Sequence, residues 1–115
     1  MFEIENTVNK VIPNEIKKII LTRKELDILV GNRLERFVVI SPKEILKIYR
    51  EQEELFDYDI IPFASLDDDY LCLYYQNTNI SIIYWSSERA LESKKMAIFE
   101  LNSSYIDFCK KLYYN

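Results

Sequence analysis

The sequence predicts an α+β fold, in which flanking helices pack on a central, mainly antiparallel sheet within one domain, residues 1–115. The 115 residues, of which 49% are hydrophobic, are enough to bury a core without disulfides or metals. Two β-rich runs lie on either side of a short polar turn, which is typical of an antiparallel hairpin. Helical and β patterns do not alternate strictly along the chain, as they would in a parallel α/β fold.

The first part of the chain predicts one helix and at least one strand. Residues 2–11 are weakly patterned, whereas Pro13 begins a helix, because proline suits the first helical turn. Residues 22–32 fit either a second helix or a strand, and they end in a turn that contains Gly31, the only glycine. Residues 36–40 are β-branched and aromatic, which favours a strand.

A further helix is predicted directly after this strand. Ser41 is a good N-cap, Pro42 suits the first helical position, and Glu44 completes a capping box. The helix ends in an acidic stretch that begins at Glu51.

The second half of the chain predicts most of the sheet. Residues 60–64 contain Pro62, which cannot donate to a β-ladder, so this segment is expected to be an edge strand or the start of a strand. Residues 71–75 and 80–85 give the strongest strand signals, and the turn formers at 76–79 join them in a hairpin. Because both strands are apolar on both faces, we expect them to be central.

The chain is expected to end with one more β segment and a helix. Residues 96–99 fit a strand or an extended segment. The final helix is predicted from about Ser103, and Lys110 with Lys111 favours its negative C-terminal end.

Composition excludes several classes of enzyme. The chain has no histidine, so Ser-His-Asp and Cys-His catalysis, the HExxH zinc site and an imidazole pH switch are absent. A single glycine excludes a P-loop and a GxGxxG fingerprint. We therefore expect a protein that is not an enzyme and that carries no cofactor.

The sequence also predicts a cytoplasmic protein without a membrane segment. Residues 1–5 carry two acids where a signal peptide needs positive charge. The longest uncharged stretch, 70–87, has a polar break that fits a hairpin better than a membrane helix. Cys72 and Cys109 match no metal spacing, and we expect both to be free and buried.

Charge is distributed unevenly along the chain, and this is its most informative feature. The net charge is −4, from 15 Lys plus Arg and 19 Asp plus Glu. Residues 51–87 contain eight carboxylates and neither Lys nor Arg, whereas the segments on both sides are weakly basic. The carboxylates lie in two loops, before and after residues 60–64, so a strand there would place the loops at its opposite ends.

Two interpretations of this acidic block remain open. It either solubilises loops around a hydrophobic sheet or forms a binding surface for a basic partner, whose association the summed field would accelerate. Metal binding is disfavoured, because Asp67-Asp68-Asp69 lacks the glycine and distal glutamate of an EF-hand loop. A hydrolase with paired carboxylates is also disfavoured, because no motif fixes two of them at a catalytic separation.

Nucleic acid is not an expected partner either. Four aromatic residues in or beside the block could stack on bases, but the carboxylates around them would repel phosphate. The four are Tyr74, Tyr75, Tyr84 and Trp85.

An ordered series of short motifs from Ile12 to Tyr113 resembles the SUKH superfamily, which includes yeast cell-wall regulators and many bacterial immunity proteins. The matching segments are Ile12-Pro13, Ser41-Pro42-Lys43-Glu44-Ile45, Ile61-Pro62-Phe63-Ala64, Asp69-Tyr70-Leu71-Cys72-Leu73, Ile82-Ile83-Tyr84-Trp85 and Ser103-Ser104-Tyr105-Ile106-Asp107-Phe108. Members often carry glycines before the tyrosine-leucine strand, where this chain has Leu66-Asp67-Asp68.

The resemblance implies a non-catalytic immunity protein that binds and neutralises a cognate, nuclease-type toxin in the bacterial cytoplasm. A toxin that acts on nucleic acid tends to be basic near its active site, which an acidic surface would cover. The alternative is a regulatory or adaptor domain that binds several protein partners. Oligomeric state is not predicted.

The candidate partner-binding residues are Asp57, Asp59, Asp67, Asp68, Asp69 and Tyr70, with Tyr70 as an aromatic anchor. Core packing is the competing role for Tyr70, and it is the expected role for Trp85.

Overall fold

The structure, a computed structural model, describes residues 2–52, 54–56 and 59–114. Within these ranges, helices flank a six-stranded antiparallel sheet whose strands pair in chain order, and this confirms the α+β prediction. The helices are α1 (Phe2–Val8), α2 (Asn14–Thr22), α3 (Pro42–Glu51), α4 (Ser87–Ala90) and α5 (Tyr105–Tyr114). The strands are β1 (Glu25–Val30), β2 (Arg33–Val39), β3 (Ile60–Leu66), β4 (Asp69–Gln76), β5 (Asn79–Trp85) and β6 (Ile98–Asn102).

Local signals placed the starts of α2 and α3 correctly. Pro13 directly precedes α2, and its carbonyl accepts a hydrogen bond from the Lys17 N–H at 2.9 Å. The Ser41 hydroxyl caps α3 by accepting from the Glu44 N–H at 3.3 Å, and Pro42 is the first helical residue. None of the helices in the described ranges combines the length and the apolar composition that crossing a bilayer requires.

The predicted hairpin is confirmed as β4 and β5, which pair from Tyr70 opposite Trp85 to Gln76 opposite Asn79. Its turn is shorter than expected, since only residues 77–78 lie outside the ladder. Both strands have neighbours on either side and consecutive buried residues, as their apolar pattern indicated. The ambiguous segment 22–32 contains strand β1 rather than a second helix.

Of the two expectations for residues 60–64, the start of a strand is confirmed, because β3 begins at Ile60. The edge-strand alternative is wrong for the strand as a whole, because β3 lies between β2 and β4. Strand β2 pairs only with Ala64 and Ser65 of β3. Pro62 lies in the half of β3 that pairs with β4 alone, beside a register shift. Its missing N–H therefore costs no ladder bond to β2, and the physical reason behind the expectation still holds.

The sheet is curled rather than flat. In a flat sheet β2 and β5 would lie about 14 Å apart, with β3 and β4 between them. The rings of Phe37 in β2 and Tyr84 in β5 nevertheless meet edge to face, with centroids 6.0 Å apart. The two-pair junction between β2 and β3 leaves β2 able to fold across the sheet. The curl buries Phe37 completely.

The weakly patterned N-terminal segment forms the short helix α1, which Glu5 ties to α2. Ile4 and Val8 lie one helical turn apart and are both buried. The Glu5 carboxylate accepts from the Ile12 N–H at 3.1 Å and pairs with the Lys17 ammonium at 3.0 Å. The hydrogen bond from Lys17 is the main cause that lowers the pKa of Glu5 below its usual 4.5.

Replacing Glu5 by glutamine is predicted to lower the free energy of unfolding by roughly 1 kcal/mol at neutral pH, since a charged acceptor is lost. The pKa of Glu5 is lower in the folded protein than in the unfolded chain, where it is 4.5. The stabilisation by Glu5 is therefore fully present above pH 4.5, and it is lost as the pH falls through the pKa of the folded protein. Urea unfolding of Glu5→Gln should therefore show a flatter pH dependence at acid pH than the wild-type protein. Glu3→Gln, on an exposed position of α1, is the matched control. If the unfolding free energy of wild type and of Glu5→Gln fell equally at acid pH, the stabilising role of the Glu5 carboxylate would be contradicted.

Candidate binding surface

The described aspartates of the acidic block lie at opposite ends of β3. Asp59 immediately precedes the strand, and Asp67 immediately follows it. The seven residues between these positions extend about 23 Å in a β conformation. The predicted site residues therefore do not form one continuous surface. Asp57 lies outside the described residues.

Asp59, at the start of β3, is neutralised by its surroundings. The Asp59 carboxylate pairs with the Lys10 ammonium at 3.0 Å, and its carbonyl accepts from the Tyr75 N–H at 2.8 Å. Lys10 also lies over the ring of Tyr75, 5.7 Å from the centroid. The Tyr75 hydroxyl donates to the Val11 carbonyl at 2.8 Å, so these contacts fasten the α1–α2 connection to the sheet.

The group at the other end is the acidic turn, which we define as Asp67, Asp68, Asp69 and Tyr70. Asp67 and Asp68 form the two-residue connection between β3 and β4, and both are exposed. Within the described ranges, neither has an ion-pair partner. Asp67 adopts a left-handed conformation with φ +54°, as Gly31 and Asn77 do at the first position of the other two hairpin turns.

Asp69 has a different environment from its two neighbours in sequence. Its carboxylate accepts from the N–H of Ser87 at 2.9 Å, from the Ser87 hydroxyl at 3.0 Å, and from the Tyr84 hydroxyl. Burial raises the pKa of Tyr84, and the hydrogen bond to Asp69 adds to the rise. Asp69 therefore fixes the start of α4 to β5, and its acceptor capacity is largely used within the protein.

Tyr70 combines a packed ring with an acidic setting. Its ring lies 5.7 Å from Trp85 and 5.9 Å from Phe56, centroid to centroid, while the residue remains partly exposed. Burial raises the pKa of the Tyr70 phenol, and the charges of Asp68 and Glu51 raise it further. The hydroxyl consequently stays protonated and able to donate. Trp85 is 1% exposed and belongs to the core, as expected.

Two more carboxylates lie near the acidic turn, each already paired with a cation of its own helix or strand, at 3.9 and 3.6 Å, and the sequence-based candidate set omitted both. The charge of Glu51, at the end of α3, helps to raise the pKa of Tyr70. The charges of Glu35 in β2 and of Asp67 help to raise the pKa of Tyr84. Glu51 lies within the acidic block, so its charge was a usable signal. Glu35 lies far from the block in sequence, and only the curl of the sheet brings β2 to this end of β5.

The chemistry available at this surface is electrostatic. Across the described ranges, no three His, Cys, Asp or Glu side chains are arranged to hold a metal ion. The free cysteines are buried, and burial raises the pKa of Cys109 to about 11, which disfavours its thiolate.

No family model, curated protein or solved structure matches this chain.

The contrast between Asp68 and Asp69 predicts different effects of the same substitution. Asp69→Ala leaves the Tyr84 hydroxyl and the Ser87 N–H without their acceptor, which should cost about 2–3 kcal/mol of unfolding free energy. Asp68→Ala, at an exposed position without an ion pair, should change it by less than about 0.5 kcal/mol. Denaturant unfolding of the two variants tests this assignment, which equal losses would overturn.

The left-handed backbone at Asp67 predicts which side chains that position tolerates. Asp67→Val should destabilise the protein by roughly 1–2 kcal/mol, because a β-branched residue strongly disfavours positive φ. Asp67→Asn and Asp67→Gly should be neutral or slightly stabilising, since both residues adopt this conformation readily. Thermal unfolding of the three variants provides the measurement, and equal stability of the valine and glycine variants would contradict the turn geometry.

Proposed function

We propose that this chain is a non-catalytic immunity protein of the SUKH type, which binds a basic, nucleic-acid-acting toxin and neutralises it through the acidic turn. One observation carries the proposal. Asp67 and Asp68 are adjacent, exposed and without a cation partner in the described ranges, whereas Asp59 at the other end of β3 is paired with Lys10. Uncompensated charge at one end is what a basic partner would recognise.

The surroundings of the acidic turn suit a protein partner. Asp69 anchors the turn to β5 and α4, so Asp67 and Asp68 project from a fixed base. Tyr70 adds a partly exposed ring and a protonated hydroxyl beside the carboxylates, a combination that is frequent at binding hot spots. A positioned surface loses less conformational entropy on binding than a mobile loop would.

The turn geometry also bears on the resemblance to the SUKH superfamily. The chain lacks the glycines that members often carry before the tyrosine-leucine strand. Asp67 occupies the left-handed conformation there with φ +54°, which aspartate accepts more readily than most residues. A local backbone shape that glycine favours is thus compatible with the carboxylates of this chain, which supports the proposal.

Neutralising the acidic turn tests the proposed function. The double variant Asp67→Asn/Asp68→Asn removes two charges and retains a residue that tolerates the left-handed backbone. The proposal predicts a toxin encoded by a neighbouring gene, and we expect the variant to associate with that toxin about tenfold more slowly at low salt, because electrostatic steering is lost. The difference should shrink as salt is added. Surface plasmon resonance at several ionic strengths measures both effects.

A control variant with the same net charge separates position from total charge. Glu3→Gln/Glu92→Gln also removes two exposed carboxylates, both outside the acidic turn. It should associate with the toxin at nearly the wild-type rate. Equal slowing by both double variants would show that total charge rather than the acidic turn is recognised. Unchanged binding of Asp67→Asn/Asp68→Asn would contradict the acidic turn as the contact surface.

A further inference from the structure

The curled sheet leaves its two edge strands lining a common groove. Strands β1 and β6 each pair with a neighbour on one side only. Between them lies an open cavity of about 640 Å³, which is lined in part by apolar residues of β1, β6 and α5. They are Ile28 and Leu29 of β1, Phe99 and Leu101 of β6, and Phe108 and Leu112 of α5.

Several of the apolar side chains that line this groove are exposed to solvent. Leu29 is 63% exposed and Phe99 is 50% exposed, on opposite walls. Leu34, which also lines the groove, is 67% exposed. Exposed apolar side chains that gather in one groove are typical of interaction sites.

We propose that the groove binds an extended segment of a partner protein, which enters as an additional strand between β1 and β6. The walls determine this choice of occupant. An edge strand presents a row of main-chain N–H and C=O groups that another extended backbone matches along its length. A lipid or another apolar small molecule would cover the side chains but would leave these groups without partners. Because β1 has six residues and β6 has five, a bound segment of similar length would pair with both.

Charge specifies the segment further. Glu100 is the central residue of β6 and lines the groove together with two cations, Arg23 and Lys111. It has no ion-pair partner among the described residues. The carboxylates of Glu25 and Asp27 on the other wall already pair with Arg36, at 3.4 and 3.0 Å. The bound strand should therefore carry Lys or Arg beside Glu100, and apolar residues at alternate positions facing Phe108 and Leu112.

A second copy of this chain fits the groove less well. Antiparallel pairing of two β6 strands about their centres would place Glu100 opposite Glu100, and like charges directly opposite each other are destabilising. The charge at Glu100 therefore favours a basic partner strand over self-association.

The experiment uses the whole protein and a short synthetic peptide of alternating valine and lysine, blocked at both ends. Amide NMR spectra of the labelled protein should shift at residues 25–30 and 98–102 when this peptide is added. A peptide with the same sequence but with N-methyl groups along one edge should bind about tenfold more weakly or worse, because main-chain donors are lost. A valine–glutamate peptide should also bind more weakly.

Variants of the protein locate the contact. Glu100→Lys should weaken binding of the valine–lysine peptide and strengthen binding of the valine–glutamate peptide, whereas Glu92→Lys, an exposed position outside the groove, should change neither. Leu29→Lys should weaken both. Absence of binding at millimolar peptide, or equal binding of the N-methylated peptide, would overturn the proposal. So would a dimer in sedimentation that Leu29→Lys dissolves, because the occupant would then be a second copy.

The groove inference does not depend on the proposed toxin. None of the residues that line the groove belongs to the acidic turn. Loss of toxin binding in Asp67→Asn/Asp68→Asn with unchanged peptide binding would separate the two surfaces. Failure of either proposal is therefore visible without the other.

Discussion

The contact between Phe37 of β2 and Tyr84 of β5 holds the sheet in its curled shape, and the remaining architecture depends on that shape. Rings that a flat sheet would keep on distant strands meet with centroids 6.0 Å apart. Phe37 is completely buried in the core, and Tyr84 uses its hydroxyl to bind Asp69. A single aromatic pair thus links the folding of β2 across the sheet to the position of the acidic turn.

The curl has different consequences at different parts of the sheet. It brings Glu35, which pairs with Arg33, into electrostatic range of Tyr84, on which Asp67 also acts. At the start of β3, Lys10 neutralises Asp59 and helps to fasten α1 and α2 to the strands. The curl also leaves β1 and β6 lining one apolar groove. A single chain with a modest net charge therefore presents a strongly acidic turn and a separate apolar groove.

Much of the secondary structure could be predicted from sequence because its signals are local. The Ser41 cap, the β4–β5 hairpin and the final helix each depend on residues close together in the chain. The curl could not be predicted, since it requires contacts between strands distant in sequence. The roles within Asp67-Asp68-Asp69 could not be distinguished either. Three identical side chains differ only through the register that pairs Leu66 with Asp69, which turns Asp69 alone toward Tyr84 and Ser87.

The curl itself is open to direct measurement in solution. Nuclear Overhauser contacts between the ring protons of Phe37 and those of Tyr84 report on the packing of β2 across β5. The account predicts strong contacts, because the two rings meet edge to face. Absence of these contacts, together with an intact β4–β5 ladder, would show a flat sheet in which β2 lies about 14 Å from β5. That result would contradict both the acidic neighbourhood of Tyr84 and the groove between the edge strands.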